Sequence, residues 1–208
     1  MKGSYVLDFV LKATHAKDVD VFYMGDRPAK EDLCQWLQRR GLPPPPSIQR
    51  EQFVGGGRTI QDPCFDVHHV DSLTTPDGGG EMTFNVDCWH IPMSGILQVF
   101  DPATGTSRSP AAGQSPGPLA LLDPSRQVAT ESGLKGLLKM LLYPSLWDAN
   151  LAGKLAADAY KDLGARPNGS LAETAVSALD QMLRGGSPKD LVDARTAVKC
   201  AEDELRGR

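Results

Sequence analysis

The chain has few of the features that announce a specialised class of protein. Its four cysteines, Cys34, Cys64, Cys88 and Cys200, are scattered with no CxxC pair, which excludes a zinc ribbon or a dense disulfide framework and fits a reducing compartment. No apolar run approaches the roughly 18 residues of a membrane span, so no membrane partner is expected. The opening MKGSYVLDFVLKATHAKD places Asp8 and Lys12 where a signal-peptide core would need to be apolar, so secretion is not indicated and a cytoplasmic location is expected. Positive charge is not in excess: 22 Lys and Arg stand against 26 Asp and Glu, a net charge of −4. Contact with nucleic acid should therefore be local or weak. There is no Walker-type loop, no Gly-x-Ser-x-Gly, and no Cys/His nucleophile arrangement. At 208 residues the chain is long enough for one well-buried domain with a helical appendage.

Hydrophobic periodicity predicts a mixed αβ portion over residues 1–126 and a helical portion over 127–208. Ser4 is placed to cap a helix from Tyr5 to about Lys12. The run Asp18-Val19-Asp20-Val21-Phe22-Tyr23 alternates as a strand. Asp26–Pro28 opens a second helix that Gly41 stops, and Pro43–Pro46 is an extended connection. Strands follow at Phe65–Leu73, Met82–Ile91 and Ile96–Phe100, the first two joined by a hairpin through residues 75–80, and Gly55–Gly57 marks a turn. Ala103–Pro118 reads as a long Gly/Pro/Ser loop. Helices are expected near Glu131–Leu142, Leu146–Leu163, Ser170–Arg184 and Pro188–Leu205. The fold class is α/β of the α+β kind: a mixed sheet flanked by helices, then a helical carboxy-terminal portion.

Chemistry concentrates near the start. Alternate residues of a strand share a face, so Asp18 and Asp20 point one way and Val19 and Val21 the other. Two carboxylates side by side repel each other unless a cation lies between them. A divalent ion such as Mg²⁺ or Mn²⁺ is the natural partner where phosphates complete the shell. In the expected strand Met82–Ile91, Thr83, Asn85 and Asp87 form the polar face. If that strand neighbours the first, Asp87 supplies a third carboxylate. Gly3-Ser4 at a helix start offers backbone amides to phosphate, and Lys17 adds positive charge beside the pair. His68, His69 and His90, with Asp66 and Asp71 nearby, suggest a second metal set. Strand alternation puts His68 and His69 on opposite faces, so half-exposed strand residues are the simpler account. Trp36, Trp89 and Trp147 read as packing.

Gly3-Ser4, the short helix beginning Tyr5-Val6-Leu7-Asp8, and Lys17-Asp18-Val19-Asp20-Val21-Phe22 together resemble the signature of the DNA polymerase β-like nucleotidyltransferase superfamily. The head domains of poly(A) polymerases and tRNA CCA-adding enzymes, and related phage proteins, look most similar. The likeness covers residues 3–23 closely and 83–101 loosely. It implies a nucleoside-triphosphate site with Asp18 and Asp20 as metal ligands, Gly3 and Ser4 at the phosphates, and Asp87 as third ligand and base. The implied reaction moves a nucleotidyl group to a hydroxyl acceptor on RNA, a protein or a small molecule. Two departures, Leu7 where the family has arginine and only Met1 and Lys2 where it has a strand, keep an alternative open. That alternative is a catalytically inert module of the same fold that binds or assembles with a protein partner, phage-encoded or virion-associated.

Overall fold

The computed structural model describes residues 1–51, 59–70 and 82–164. The expected helices at Ser170–Arg184 and Pro188–Leu205, the Gly55–Gly57 turn and the hairpin connection at 75–80 lie outside them. The chain forms two compact units, residues 1–82 with 86–115, and residues 83–85 with 116–208.

In the first unit, helix α1 (Ser4–Leu11) buries Tyr5, Val6 and Leu7. It ends at Lys12, whose left-handed backbone (φ 57) returns its N–H to the Asp8 carbonyl. The Asp8 carboxylate accepts a hydrogen bond from the Ala16 amide at 2.6 Å, so one side chain fixes the path from α1 into strand β1 (Val19–Tyr23). Helix α2 (Lys30–Arg39) follows, capped by Ala29 and stopped before Gly41 (φ 64). The extended prolines lead into an antiparallel hairpin that periodicity did not reveal, β2 (Ser47–Glu51) with β3 (Thr59–Pro63).

Strand β4 (Phe65–His69) then lies parallel to β1, pairing Val19 with Phe65, Asp20 with Asp66, and Phe22 with His68. Lys2 makes an antiparallel bridge to Asp20 from the other side, and the Met1 carbonyl accepts from the Ile91 amide at 2.9 Å. Met1 and Lys2 thus occupy an extended position beside β1. Val19, Val21, Tyr5, Val6, Leu37 and Ile91 form the core beneath the β1–β4 pair. Burying such side chains contributes on the order of 1.5–3 kcal/mol each.

The expected strand over Met82–Ile91 does not form. Residues Asn85–Cys88 make a single turn of 3₁₀ helix, flanked by an isolated bridge at Phe84 and a two-residue strand at Trp89–His90 (β5). Asn85 opens that turn. Its side-chain amide donates to the Pro116 and Pro118 carbonyls, both at 2.9 Å, and its oxygen accepts from the Ala120 amide at 3.0 Å. Those bonds, with the Asn85 backbone amide donating to the Ala120 carbonyl at 2.9 Å, tie this point of the chain to residues 116–120 as the turn begins. β5 pairs antiparallel with β6 (Gln98–Asp101), and β6 with β7 (Thr106–Arg108), a strand inside the segment expected to be loop.

In the second unit Phe84 bridges Leu121, and the helices are α3 (Thr130–Leu142) and α4 (Ala149–Gly164), separated by a 3₁₀ turn at Pro144–Leu146. The Leu119 amide donates to the Leu146 carbonyl at 2.8 Å. Leu119, Leu137, Met140, Tyr143, Leu146 and Leu155 are buried. Phe84 and Leu121 join residues 83–85 to the segment from 116 onward within this unit. Among the described residues no helix is long and apolar enough to cross a membrane.

Candidate metal centre

Parallel pairing decides the site. In register, Asp20 and Asp66 are direct neighbours on adjacent strands, and residue alternation puts Phe22 and His68 on the same face one step further along. The His68 Nε2 lies 3.2 Å from an Asp66 oxygen and 3.9 Å from an Asp20 oxygen. The ligand atoms of Asp20, Asp66 and His68 all fall within 4.8 Å of one another, and among the described residues no other such trio exists. The His68 ring stacks on Phe22 with centroids 5.0 Å apart and planes 22° apart, which fixes its edge toward the carboxylates. The Lys2 ammonium sits 5.1 Å from the centroid of the Phe22 ring.

Asp20 is the most enclosed of the three, with 31% of its side chain exposed against 57% for Asp66 and 42% for His68. Its carboxyl is held above the ordinary carboxylate range, chiefly by burial and further by the negative charges of Asp18 and Asp66; His68 and Lys2 act in the opposite direction. The negative charges that add to this rise in pKa are ones a bound cation would offset.

Gly3 shapes the end of the site. Its φ of 78° belongs to the left-handed half of backbone space, and a Cβ at Gly3 would collide with the Asp20 carboxylate. The opening of α1 therefore comes directly against Asp20 because Gly3 has no side chain. Gly3, not Ser4, is the residue before the helix, and no side chain caps it. First-turn amides at such an end attract anions.

The sequence-predicted residues distribute unevenly. Asp20 and Gly3 are in the site. Asp18 lies at the bend just before β1, outside the close trio but near enough for its charge to act on Asp20; Lys17 is the exposed residue preceding it. Ser4 is the first residue of α1. Asp87 stands on the 3₁₀ turn, not on a strand beside β1, and is not among the three clustered groups. The carboxylate that stands beside Asp20 is Asp66. Its signal was present in Phe65-Asp66-Val67, a carboxylate between two apolar residues on a strand; only the pairing of β4 with β1 shows that it faces Asp20.

His90 stays apart from the cluster. It is buried, its Nδ1 is 3.2 Å from the Cys88 carbonyl, and its Nε2 is 3.4 Å from the Ser107 hydroxyl. That arrangement suits a neutral ring, which donates at Nδ1 and accepts at Nε2. Burial pushes its pKa below the usual imidazole value. A cavity of about 360 Å³ lies against Val21, Phe65, Leu33, Trp36 and Ile91, with His90 at its polar side. Apart from His90 its lining side chains carry no acid or base, and the Met1 α-amino group stands at the same wall. Among the described residues Cys34, Cys64 and Cys88 form no disulfide. No family model, no curated protein and no solved structure matches this chain.

Proposed function

We propose that the protein is a metal-dependent nucleotidyltransferase of the polymerase-β-like kind, with Asp18, Asp20 and Asp66 as its carboxylates. The observation that carries this reading is the register of β1 with β4, which sets Asp20 beside Asp66 directly against the Gly3 turn that opens α1. A helix start attracts phosphate, and an adjacent pair of carboxylates attracts a divalent ion. A nucleoside triphosphate complexed with Mg²⁺ or Mn²⁺ presents both.

The donor set fits such an ion: two carboxylates and an imidazole converge, and Asp18 adds negative charge nearby. When bound, the ion would neutralise the departing pyrophosphate and lower the pKa of the attacking hydroxyl. The chain's own residues do the rest. Gly3 sets the first-turn amides of α1 directly against the Asp20 carboxylate, where metal-bound phosphates would meet them. Lys2 and Lys17 bring positive charge to the anionic substrate. Asp66, the most exposed carboxylate of the trio, is placed to accept the proton of the acceptor hydroxyl.

Pyrophosphate release tests the reading, from each nucleoside triphosphate with Mg²⁺ or Mn²⁺ and a panel of RNA, protein and small-molecule hydroxyl acceptors. Turnover is expected, falling at least roughly 100-fold in Asp20→Ala and in Asp66→Ala but not in Asp87→Ala. Absence of pyrophosphate with every acceptor would sink it. The second reading, an inert module that binds a protein partner, draws on His68: its imidazole, 3.2 Å from Asp66, already partners that carboxylate within the chain.

A further inference from the structure

Extending the reading of this face as a cation site, we propose that His68 is an inner ligand and makes the site selective for a first-row transition dication, Mn²⁺ or Zn²⁺, over Mg²⁺. Three observations converge. The Nε2 of His68 is the atom turned toward both carboxylates, at 3.2 and 3.9 Å. Bonds of about 2.0–2.2 Å to one ion put neighbouring ligand atoms roughly 3.0–3.6 Å apart; the His68–Asp66 distance of 3.2 Å is already such an edge, and the 3.9 Å to Asp20 needs a small closure on binding. The ring is held in that orientation by Phe22, stacked at 5.0 Å, and by its register one step beyond the Asp20–Asp66 pair.

The chemistry then follows from the donor types. Mg²⁺ takes oxygen ligands and sheds its water reluctantly, so it gains little from imidazole. Zn²⁺ and Mn²⁺ accept nitrogen readily, and affinity at a mixed oxygen and nitrogen site rises from Mn²⁺ toward Zn²⁺. His69 supplies an internal control. It is the next residue, on the opposite face, where its ring meets Tyr23 edge-on.

The experiment is titration of the full chain with each metal alone, without nucleotide, by calorimetry. Mn²⁺ and Zn²⁺ are expected to bind at least roughly tenfold more tightly than Mg²⁺. His68→Gln should remove about tenfold or more of the Mn²⁺ and Zn²⁺ affinity while moving Mg²⁺ by less than about twofold, and His69→Gln should change neither. A second readout needs no substitution: Mn²⁺ should broaden the imidazole resonances of His68 in the parent protein far more than those of His90. Equal affinity for Mg²⁺ and Mn²⁺, no saturable binding of any of the three, an unchanged preference in His68→Gln, or an unbroadened His68 would each overturn the proposal. It fails separately from the transferase reading. Pyrophosphate release supported equally by Mg²⁺ and indifferent to His68→Gln defeats the selectivity alone. Selective Mn²⁺ binding without turnover leaves the selectivity and defeats the transferase.

Discussion

Gly3 and Gly136 each stand in one unit of the molecule, and each is pressed against a larger neighbour, but for different ends. Gly3 lies against the Asp20 carboxylate with its backbone at φ 78°. Gly136 sits inside α3, where an added Cβ would come within 2.5 Å of the Phe84 ring and 3.1 Å of Leu155. The first glycine brings a helix end to a charged cluster. The second lets a helix close over an aromatic side chain that is 2% exposed. One unit carries its close approach at a polar face, the other within an apolar core, so substitutions in the two should separate ligand binding from stability.

The largest effect is expected at Phe84. Phe84→Ala should cost about 3–5 kcal/mol of stability, the usual range for emptying an aromatic core site, read as a shifted midpoint in denaturant melts. Metal affinity of the folded fraction should be unchanged; a parallel loss of Mn²⁺ binding would erase the contrast between the units. Gly3→Ala comes next. Positive-φ backbone strain of about 1–3 kcal/mol should accompany displacement of the Asp20 carboxylate, so stability and cation affinity fall together. Gly136→Ala should lower stability alone: overpacking of about 1–3 kcal/mol outweighs the roughly 1 kcal/mol that alanine gains over glycine in a helix. Combining it with Phe84→Leu should recover part of that loss, because the two side chains compete for one space.

Asp20→Asn should leave the apo protein equally or more stable while greatly weakening cation binding. The fold holds the Asp20 carboxyl above its ordinary range, so its proton is bound more tightly in the folded than in the unfolded chain. Stability from this group is therefore greatest in acid and is lost as pH rises through the raised folded value. Asp20→Asn should flatten that portion of the pH–stability curve, and a steeper curve would refute the assignment. The smallest effect belongs to His90, with the opposite sense. Its folded pKa is lowered by burial, so its contribution is complete above roughly pH 6.5 and declines as pH falls toward the lowered value. His90→Gln should reduce that acid-side slope in thermal melts.

Local physics made α1, β1, β4 and α3 legible within a few residues. Val19 and Val21 alternate with Asp20 and Phe22, and the Leu137 and Met140 spacing belongs to one helix face; such patterns follow from each element's own repeat. The glycine-and-carboxylate start was legible for the same reason, since Gly3 and Asp20 are joined by one short helix and a tight connection. Asn85 shows where this ends. Its position in an alternating run predicts a strand, yet its amide bonds to carbonyls more than thirty positions later in the chain, and no local pattern encodes that partner.

The sequence by itself therefore determined that two short-range features, a glycine at a helix start and an acidic strand, would sit together, and that the protein would mix helices with strands. Only tertiary structure decided which third carboxylate joins them. Asp66 lies 46 positions after Asp20 in the numbering, with α2 and the β2–β3 hairpin between. It arrives beside Asp20 because parallel strands must be joined by a long crossover, and the register of that pairing is set by the apolar side chains on the opposite face. A shift of one residue would have turned Asp66 and His68 into the core and left Asp20 with apolar neighbours. The Asp20–Asp66–His68 cluster is thus a consequence of the burial of Val19 and Val21 on β1 with Phe65 and Val67 on β4.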